Sequence, residues 1–225
     1  MSPWNTIWTV ALKDWRLEWR SRDSLTATVF FAGLVLLILG FALGPSRQRL
    51  QQAAPGILWT ALAFSSVLAA QRSFGSEQEA GALEALTLYP VAHEWIYLGK
   101  LLGNYGQLLV LGALLTPLCD LLFGLPAGPR WPELLLTLLL GLLGLSVIGC
   151  FYAAVTTQLR AREALLPVLI FPVVVPVILA SVKATSLLTT GGLGSEVRSW
   201  LGLLVVFDLI YLVCATLIFP YALEG

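Results

Sequence analysis

Apolar residues fall along this 225-residue chain in long unbroken runs rather than in the short alternating patches of a soluble core. Six stretches carry the pattern: Ser24 to Ser46, Leu50 to Gln71, Leu101 to Cys119, Leu134 to Leu159, Ala164 to Val182, and Ser199 to Leu223, the last interrupted by Asp208 alone. A hydrocarbon core ~30 Å thick needs about 20 mostly apolar residues at ~1.5 Å each, so every run reaches span length. The runs are apolar on all faces and show no period of two, which predicts helices rather than barrel strands. The expected architecture is one all-α membrane domain over residues 1–225, with spans at about 24–44, 53–71, 99–123, 134–158, 164–182 and 200–222. The first run is longer than the ~7–15 residues of a signal-peptide core and five more follow it, so it reads as a span and not as a leader.

Two polar segments carry helical periodicity of their own. Before the first span, over residues 1–23, Trp4, Trp8, Leu12, Trp15 and Trp19 recur at steps of four, four, three and four, widened by Ile7 and Ala11. Lys13, Asp14, Arg16, Glu18 and Arg20 fall around the rest of the turn, the pattern of an amphipathic helix lying in the bilayer interface with its indoles at headgroup level. A soluble helix packed on another subunit is the plainer alternative. Between the second and third spans, Arg72 to Gly99 contains Glu77, Glu79, Glu84 and Glu94. Ser76 with Glu79 makes a capping box, Ala80, Leu83, Leu86 and Thr87 form a stripe, and Pro90 stops it. The segment is too short to span, and reads either as a solvated hairpin or as a docking element for another protein.

Composition agrees with a life in lipid: 58% hydrophobic and 12% charged residues, against ~45–50% and ~25% in soluble domains. A net charge of zero without a long basic run excludes a nucleic-acid surface. Cys119, Cys150 and Cys214 are odd in number and scattered in apolar runs, and His93 is the single histidine, so neither a disulfide framework nor a metal, haem or acid–base site is predicted. With six spans both termini share a side. That side collects eight basic residues (Lys13, Arg16, Arg20, Arg22, Arg72, Lys100, Arg160, Arg162) against five opposite (Arg47, Arg49, Arg130, Lys183, Arg198), which places the termini in the cytoplasm.

Within the membrane, Asp208 is expected about 10 Å into the sixth span and Asp120 near the outer end of the third. Such groups are costly at depth, and the plain expectation is a protonated or hydrogen-bonded Asp208 and a headgroup-level Asp120. The sharper one has Asp208 meeting a second copy or a partner subunit. Ser146, Gly149, Cys150, Ala153, Ala154 and Thr157 give the fourth span a small-residue face, and Gly99 with Gly103 opens the third in a G-x-x-x-G pattern; both suit packing within the chain or a seam with a second copy. Pro167, Pro172 and Pro176 should bend or break the fifth span. Lys183 to Trp200, with Gly191, Gly192 and Gly194, reads as a flexible outer loop.

These residues also resemble a known family. Ala54-Pro55-Gly56-Ile57-Leu58-Trp59, then Glu79-Ala80-Gly81-Ala82-Leu83-Glu84-Ala85-Leu86-Thr87-Leu88-Tyr89-Pro90, then Lys100, and Leu166-Pro167-Val168-Leu169-Ile170-Phe171-Pro172 are similar to the CcmB family, the haem exporter B subunits of bacterial cytochrome c maturation. The likeness covers about residues 45 to 180. It implies an inner-membrane ABC transporter permease subunit of ABC-2 or type V exporter kind, working with a separate ATPase, CcmA, and with the haem-handling subunits CcmC and CcmD. The complex would couple ATP hydrolysis to release of the haem-loaded chaperone CcmE, historically described as haem export. The short loop helix would then be the coupling helix, with Glu77, Glu79, Gly81, Leu83, Glu84, Leu86 and Pro90 as contacts to the ATPase. The chain carries no G-x-x-x-x-G-K-[ST] phosphate loop, so ATP would be bound by the partner and haem handled by the complex.

Two rivals remain from the residues alone. A secondary transporter of a small solute would need coupling carboxylates at the midplane and internal symmetry, for which Asp208 is the one feature. An integral-membrane enzyme would need convergent nucleophiles, bases or ligands, which one histidine and three scattered cysteines do not supply.

Overall fold

The computed structural model describes residues 3–20, 22–79, 91–125, 130–156 and 162–224, with residues 19, 20, 22–25, 76–79, 162–164 and 221–224 described by backbone only. Seven helices occupy these residues: α1 (Pro3–Arg20), α2 (Arg22–Ala42), α3 (Arg47–Glu79), α4 (His93–Phe123), α5 (Trp131–Thr156), α6 (Arg162–Thr190) and α7 (Gly194–Glu224). Five of them, α3 to α7, are long and apolar enough to cross a membrane, and α2 contributes a shorter apolar stretch, Thr26–Ala42.

Helix α5 is the hub, packed against α3, α4, α6 and α7. Nearly every residue from Gly141 to Cys150 is buried, because glycines on more than one face let neighbouring helices close in. Gly141 receives the ring of Trp59, a fully buried side chain of α3 whose indole N–H donates to Thr185 Oγ1 of α6 at 2.9 Å. Gly149 lies against Ala70 of α3, and Tyr105 of α4 donates its hydroxyl to the Leu139 carbonyl at 3.0 Å. The small face read from the sequence, Ser146 through Ala154, is thus consumed by packing inside the chain; Thr157 lies outside the described residues. Outer faces of α6 and α7, with Val168, Val175, Val206, Val213 and Leu217 exposed, carry the apolar surface a bilayer would cover.

The helices outlast the apolar runs that announced them. Charge ends a hydrocarbon-compatible segment but not a hydrogen-bonded helix, so α3 continues through Arg72 to Glu79 and α6 through Lys183 to Thr190. Two expectations are corrected as a result, and of the bend or break expected at the fifth span's prolines the break does not occur. Ser76 does not cap a new helix, since it sits inside α3 with its backbone already helical. The outer loop predicted from Lys183 shrinks to residues 191–193, closed by Gly191 at φ +75° and a Gly192 N–H to Leu187 carbonyl bond of 2.8 Å, the left-handed glycine ending of a helix. Pro167, Pro172 and Pro176 do not break α6, which is continuous through all three, each proline removing one donor while the surrounding ladder persists.

Candidate functional site

The sequence placed the N-terminal helix flat in the interface. The structure sets it against α4 through a face that the tryptophan stripe only borders. Gly99 is so close to α1 that a Cβ there would stand 2.7 Å from Val10 Cβ and 2.9 Å from the Ile7 carbonyl. Gly103 meets Asp14 and the Ala11 carbonyl, and Gly106 lies under the Trp15 ring. The G-x-x-x-G pattern is therefore the seat of α1, while Trp4 and Trp8 remain exposed, at 70% and 57%. Trp15 turns partly inward, and the Trp19 side chain lies outside the described residues.

That docking brings Asp14 to Lys100, and here sequence reasoning missed a residue. Counting charges had put Lys100 on the cytoplasmic side, at the start of the span expected at about 99–123, with no partner assigned to it. Its side chain is instead 1% exposed, with Nζ 3.1 Å from Asp14 Oδ2. The ammonium donates to the Ser73 carbonyl at 3.1 Å and lies 4.9 Å from the centre of the Phe74 ring. A buried ammonium is tolerated only when paired and hydrogen-bonded, and this one is held by α1 and α3 at once. The available signal was the small face Gly99/Gly103 flanking a lysine, opposite a helix whose acidic residues Asp14 and Glu18 share one side at i, i+4.

Polar contacts continue around the joint. Asn104 donates its amide to Ser146 Oγ at 3.2 Å and to Cys150 Sγ at 3.3 Å, and Tyr97 donates to the Val147 carbonyl at 3.0 Å, fastening α4 to α5. Gln107 donates to Glu18 at 2.8 Å, a second tie between α4 and α1, and Arg72 donates to Thr28 at 3.2 Å, tying α3 to α2. Arg72, Ser73, Tyr97 and Lys100 lie toward the ends of α3 and α4 that flank the connection 80–90, with Asn104 and Gln107 further along α4. Ser73 is six residues, about 9 Å, from the last residue of α3, and Lys100 is seven residues from the first of α4.

The predicted ATPase contacts sit at that connection. Glu77 and Glu79 occupy the last turn of α3 by backbone, whereas Gly81, Leu83, Glu84, Leu86 and Pro90 lie outside the described residues. The two intramembrane carboxyls are not brought together. Asp120 is exposed one turn from the end of α4, its carbonyl accepting the Gly124 N–H at 2.7 Å. Asp208 is 4% exposed and lies fourteen residues, about 21 Å, into α7, deeper than expected because the helix begins at Gly194. It points inward at Gly144, where a Cβ would stand 2.5 Å from its Oδ1, and among the described residues neither carboxyl oxygen has a hydrogen-bond partner. That direction turns it away from the outer face a second copy would approach. Cys119 and Cys150 are buried, and Cys214 is exposed on α7.

A bundle with five span-length apolar helices, its ionisable groups folded inward or held at helix ends, defines a multi-pass α-helical membrane protein. Residues 5–225 match the family described as CcmB protein, and the chain belongs to that family. It is 36% identical over 176 residues to the heme exporter protein B of Paracoccus denitrificans, covering 77% of this chain and 79% of that one. The Pseudomonas aeruginosa heme exporter protein B is 33% identical over 208 residues, 91% and 92% of the two chains. That of Haemophilus influenzae is 32% identical over 181 residues, 80% of each.

Proposed function

We propose that this chain is the transmembrane subunit of an ABC-type complex serving haem handling in bacterial cytochrome c maturation. It crosses the inner membrane six times, with α2 as the first span and both termini in the cytoplasm. ATP is bound and hydrolysed by a separate subunit, CcmA; CcmC and CcmD manage the haem; and the cycle releases the haem-loaded chaperone CcmE. Relatives named heme exporter protein B that align over as much as 91% of the chain support the pathway.

The observation that carries the mechanical part is the Lys100 joint. Helices α3 and α4 both run on toward the connection 80–90, and Lys100 pins them to each other and to α1 one or two turns before it. A push on that connection by a closing ATPase dimer would be passed to both helices as a rigid pair instead of being absorbed by bending. Glu77 and Glu79 on α3, with Gly81, Leu83, Glu84, Leu86 and Pro90 beyond it, are the proposed dock, leucines seated in an ATPase groove and carboxylates orienting it.

Affinity purification in mild detergent tests the reading by scoring a co-purifying ATPase and bound haem. Leu83→Arg is expected to leave insertion intact while uncoupling ATP hydrolysis from cytochrome c maturation. A chain that purifies alone and ignores ATP would favour a secondary transporter, and normal maturation in Leu83→Arg would remove the dock.

A further inference from the structure

At the end of the bundle opposite Lys100, helices α2, α3 and α4 leave a cleft of about 380 Å³ between them, within the ~300–1,000 Å³ of small-molecule sites. Leu37, Phe41, Pro45, Leu50, Leu122 and Phe123 line it. Close approach of α2 to α4 at its base depends on Gly40, where a Cβ would stand 2.5 Å from the Phe123 ring. The cleft opens sideways, since Phe41 is 81% exposed and Leu37 and Leu122 are also on the surface. It is apolar throughout its wall, so water is a poor occupant and a hydrocarbon chain a good one.

One edge is different in kind. Arg47, the first residue of α3, lies three positions before Leu50 and so on the same helical face, about 4.5 Å further along the axis. Its guanidinium leans to the cleft's rim, with Nη2 3.9 Å from the place a Cβ would occupy on Gly124, the residue after Phe123. The Gln51 amide nitrogen is 3.1 Å from the same place. Among the described residues no carboxylate pairs with Arg47. An unpaired guanidinium one turn from an open apolar cleft has the charge and the spacing of a phospholipid: phosphate at the rim, acyl chain beneath.

We propose that this cleft is a phospholipid site, in which an acyl chain fills the space between α2, α3 and α4 and Arg47 grips the lipid phosphate through charge-assisted hydrogen bonds, with Gln51 donating beside it. Arg49 provides the internal comparison. It is also exposed, but two positions on from Arg47 it projects about 200° around the helix and away from the cleft.

The full chain is reconstituted in phosphatidylethanolamine nanodiscs containing a trace of phosphatidylglycerol with a photoreactive acyl chain, irradiated, and the labelled residues mapped by mass spectrometry. Label is expected to concentrate on residues 37–50 and 122–123 over lipid-facing positions such as Val213 and Leu217. Arg47→Gln should lower it there several-fold and Arg49→Gln should leave it unchanged, both variants eluting as the parent on gel filtration. Leu50→Trp, which fills the cleft, should displace the label without touching the charge. Even labelling over all lipid-facing residues, equal losses in the two arginine variants, or equal labelling by a photoreactive diacylglycerol without phosphate would each overturn the proposal.

Discussion

The ammonium of Lys100 and the carboxylate of Asp14 lie 3.1 Å apart, joining the N-terminal helix to the side of α4 at a point almost closed to solvent. Removing one partner strands the other. Asp14→Ala is expected to cost about 3 kcal/mol, as for a buried charge deprived of its counterion. The loss should show as faster amide exchange over Ile7 to Asp14. Replacing both groups, Asp14→Leu with Lys100→Met, should recover most of that stability, because two apolar side chains need no desolvation. Exchange in the single variant as slow as in the parent would mean that apolar packing alone seats α1.

Gly99 and Gly103 should respond differently to the same methyl group. At Gly99 the added carbon meets backbone, the Ile7 carbonyl at 2.9 Å, and Val10 Cβ at 2.7 Å, neither of which can step aside. At Gly103 the nearest atom is Asp14 Cβ at 3.1 Å, a contact that a few tenths of an ångström relieves. Alanine also gains roughly 1 kcal/mol of helix propensity over glycine. Gly103→Ala is therefore expected to be near neutral, while Gly99→Ala releases α1 to proteolysis. Equal protease resistance in both would contradict the close seat of α1 on Gly99.

How the joint escaped the sequence is instructive beside what did not escape. Five long helices were legible because lipid demands unbroken apolar runs and the runs are there. Their true ends were not, because the backbone ladder of α3 and α6 continues past Arg72 and Lys183 into regions where charge is harmless. Family membership was legible from Ala54 to Trp59, Glu79 to Pro90, Lys100 and Leu166 to Pro172, a likeness over about residues 45 to 180, and is met by a match over residues 5–225. Lys100 was assigned to the cytoplasmic side by the rule that counts cations, a rule blind to partners distant in sequence. Only the three-dimensional seat of α1 brings Asp14 to it. Trp15 illustrates the same limit: periodicity put it on one stripe with Trp4 and Trp8, yet the neighbouring helix decides that it covers Gly106.

Gly144 and Asp208 form a second dependent pair, at mid-depth in the bundle. A Cβ on Gly144 would stand 2.5 Å from the Asp208 carboxyl and 2.9 Å from Val177 Cγ1, so Gly144→Ala should destabilise the detergent-solubilised protein by about 1–3 kcal/mol, the usual cost of overpacking. Shortening the offending side chain, Gly144→Ala with Asp208→Ala, should return part of the loss. The midpoint of thermal unfolding, followed by fluorescence-detected size exclusion, reads both. A double variant no more stable than Gly144→Ala would locate the strain at Val177 instead.

Trp59 and Gly141 separate a hydrogen bond from a packing contact at one residue. The indole N–H bonds Thr185 Oγ1 at 2.9 Å, but Thr185 also donates to the Ser181 carbonyl at 2.8 Å, so Trp59→Phe leaves its donor satisfied. Hydrogen bonds between membrane helices average ~0.6 kcal/mol, and the loss from Trp59→Phe should be about 1 kcal/mol or less once the smaller ring is included. Gly141→Ala drives a methyl into the Trp59 ring and to 2.5 Å from Ser181 Oγ, with buried atoms on both sides. It should cost about 1–3 kcal/mol and lower the folded yield in membranes more than Trp59→Phe does. The reverse order, measured by unfolding in detergent of the two variants side by side, would show that the α3–α6 hydrogen bond, and not the close passage of α3 over α5, holds this part of the bundle.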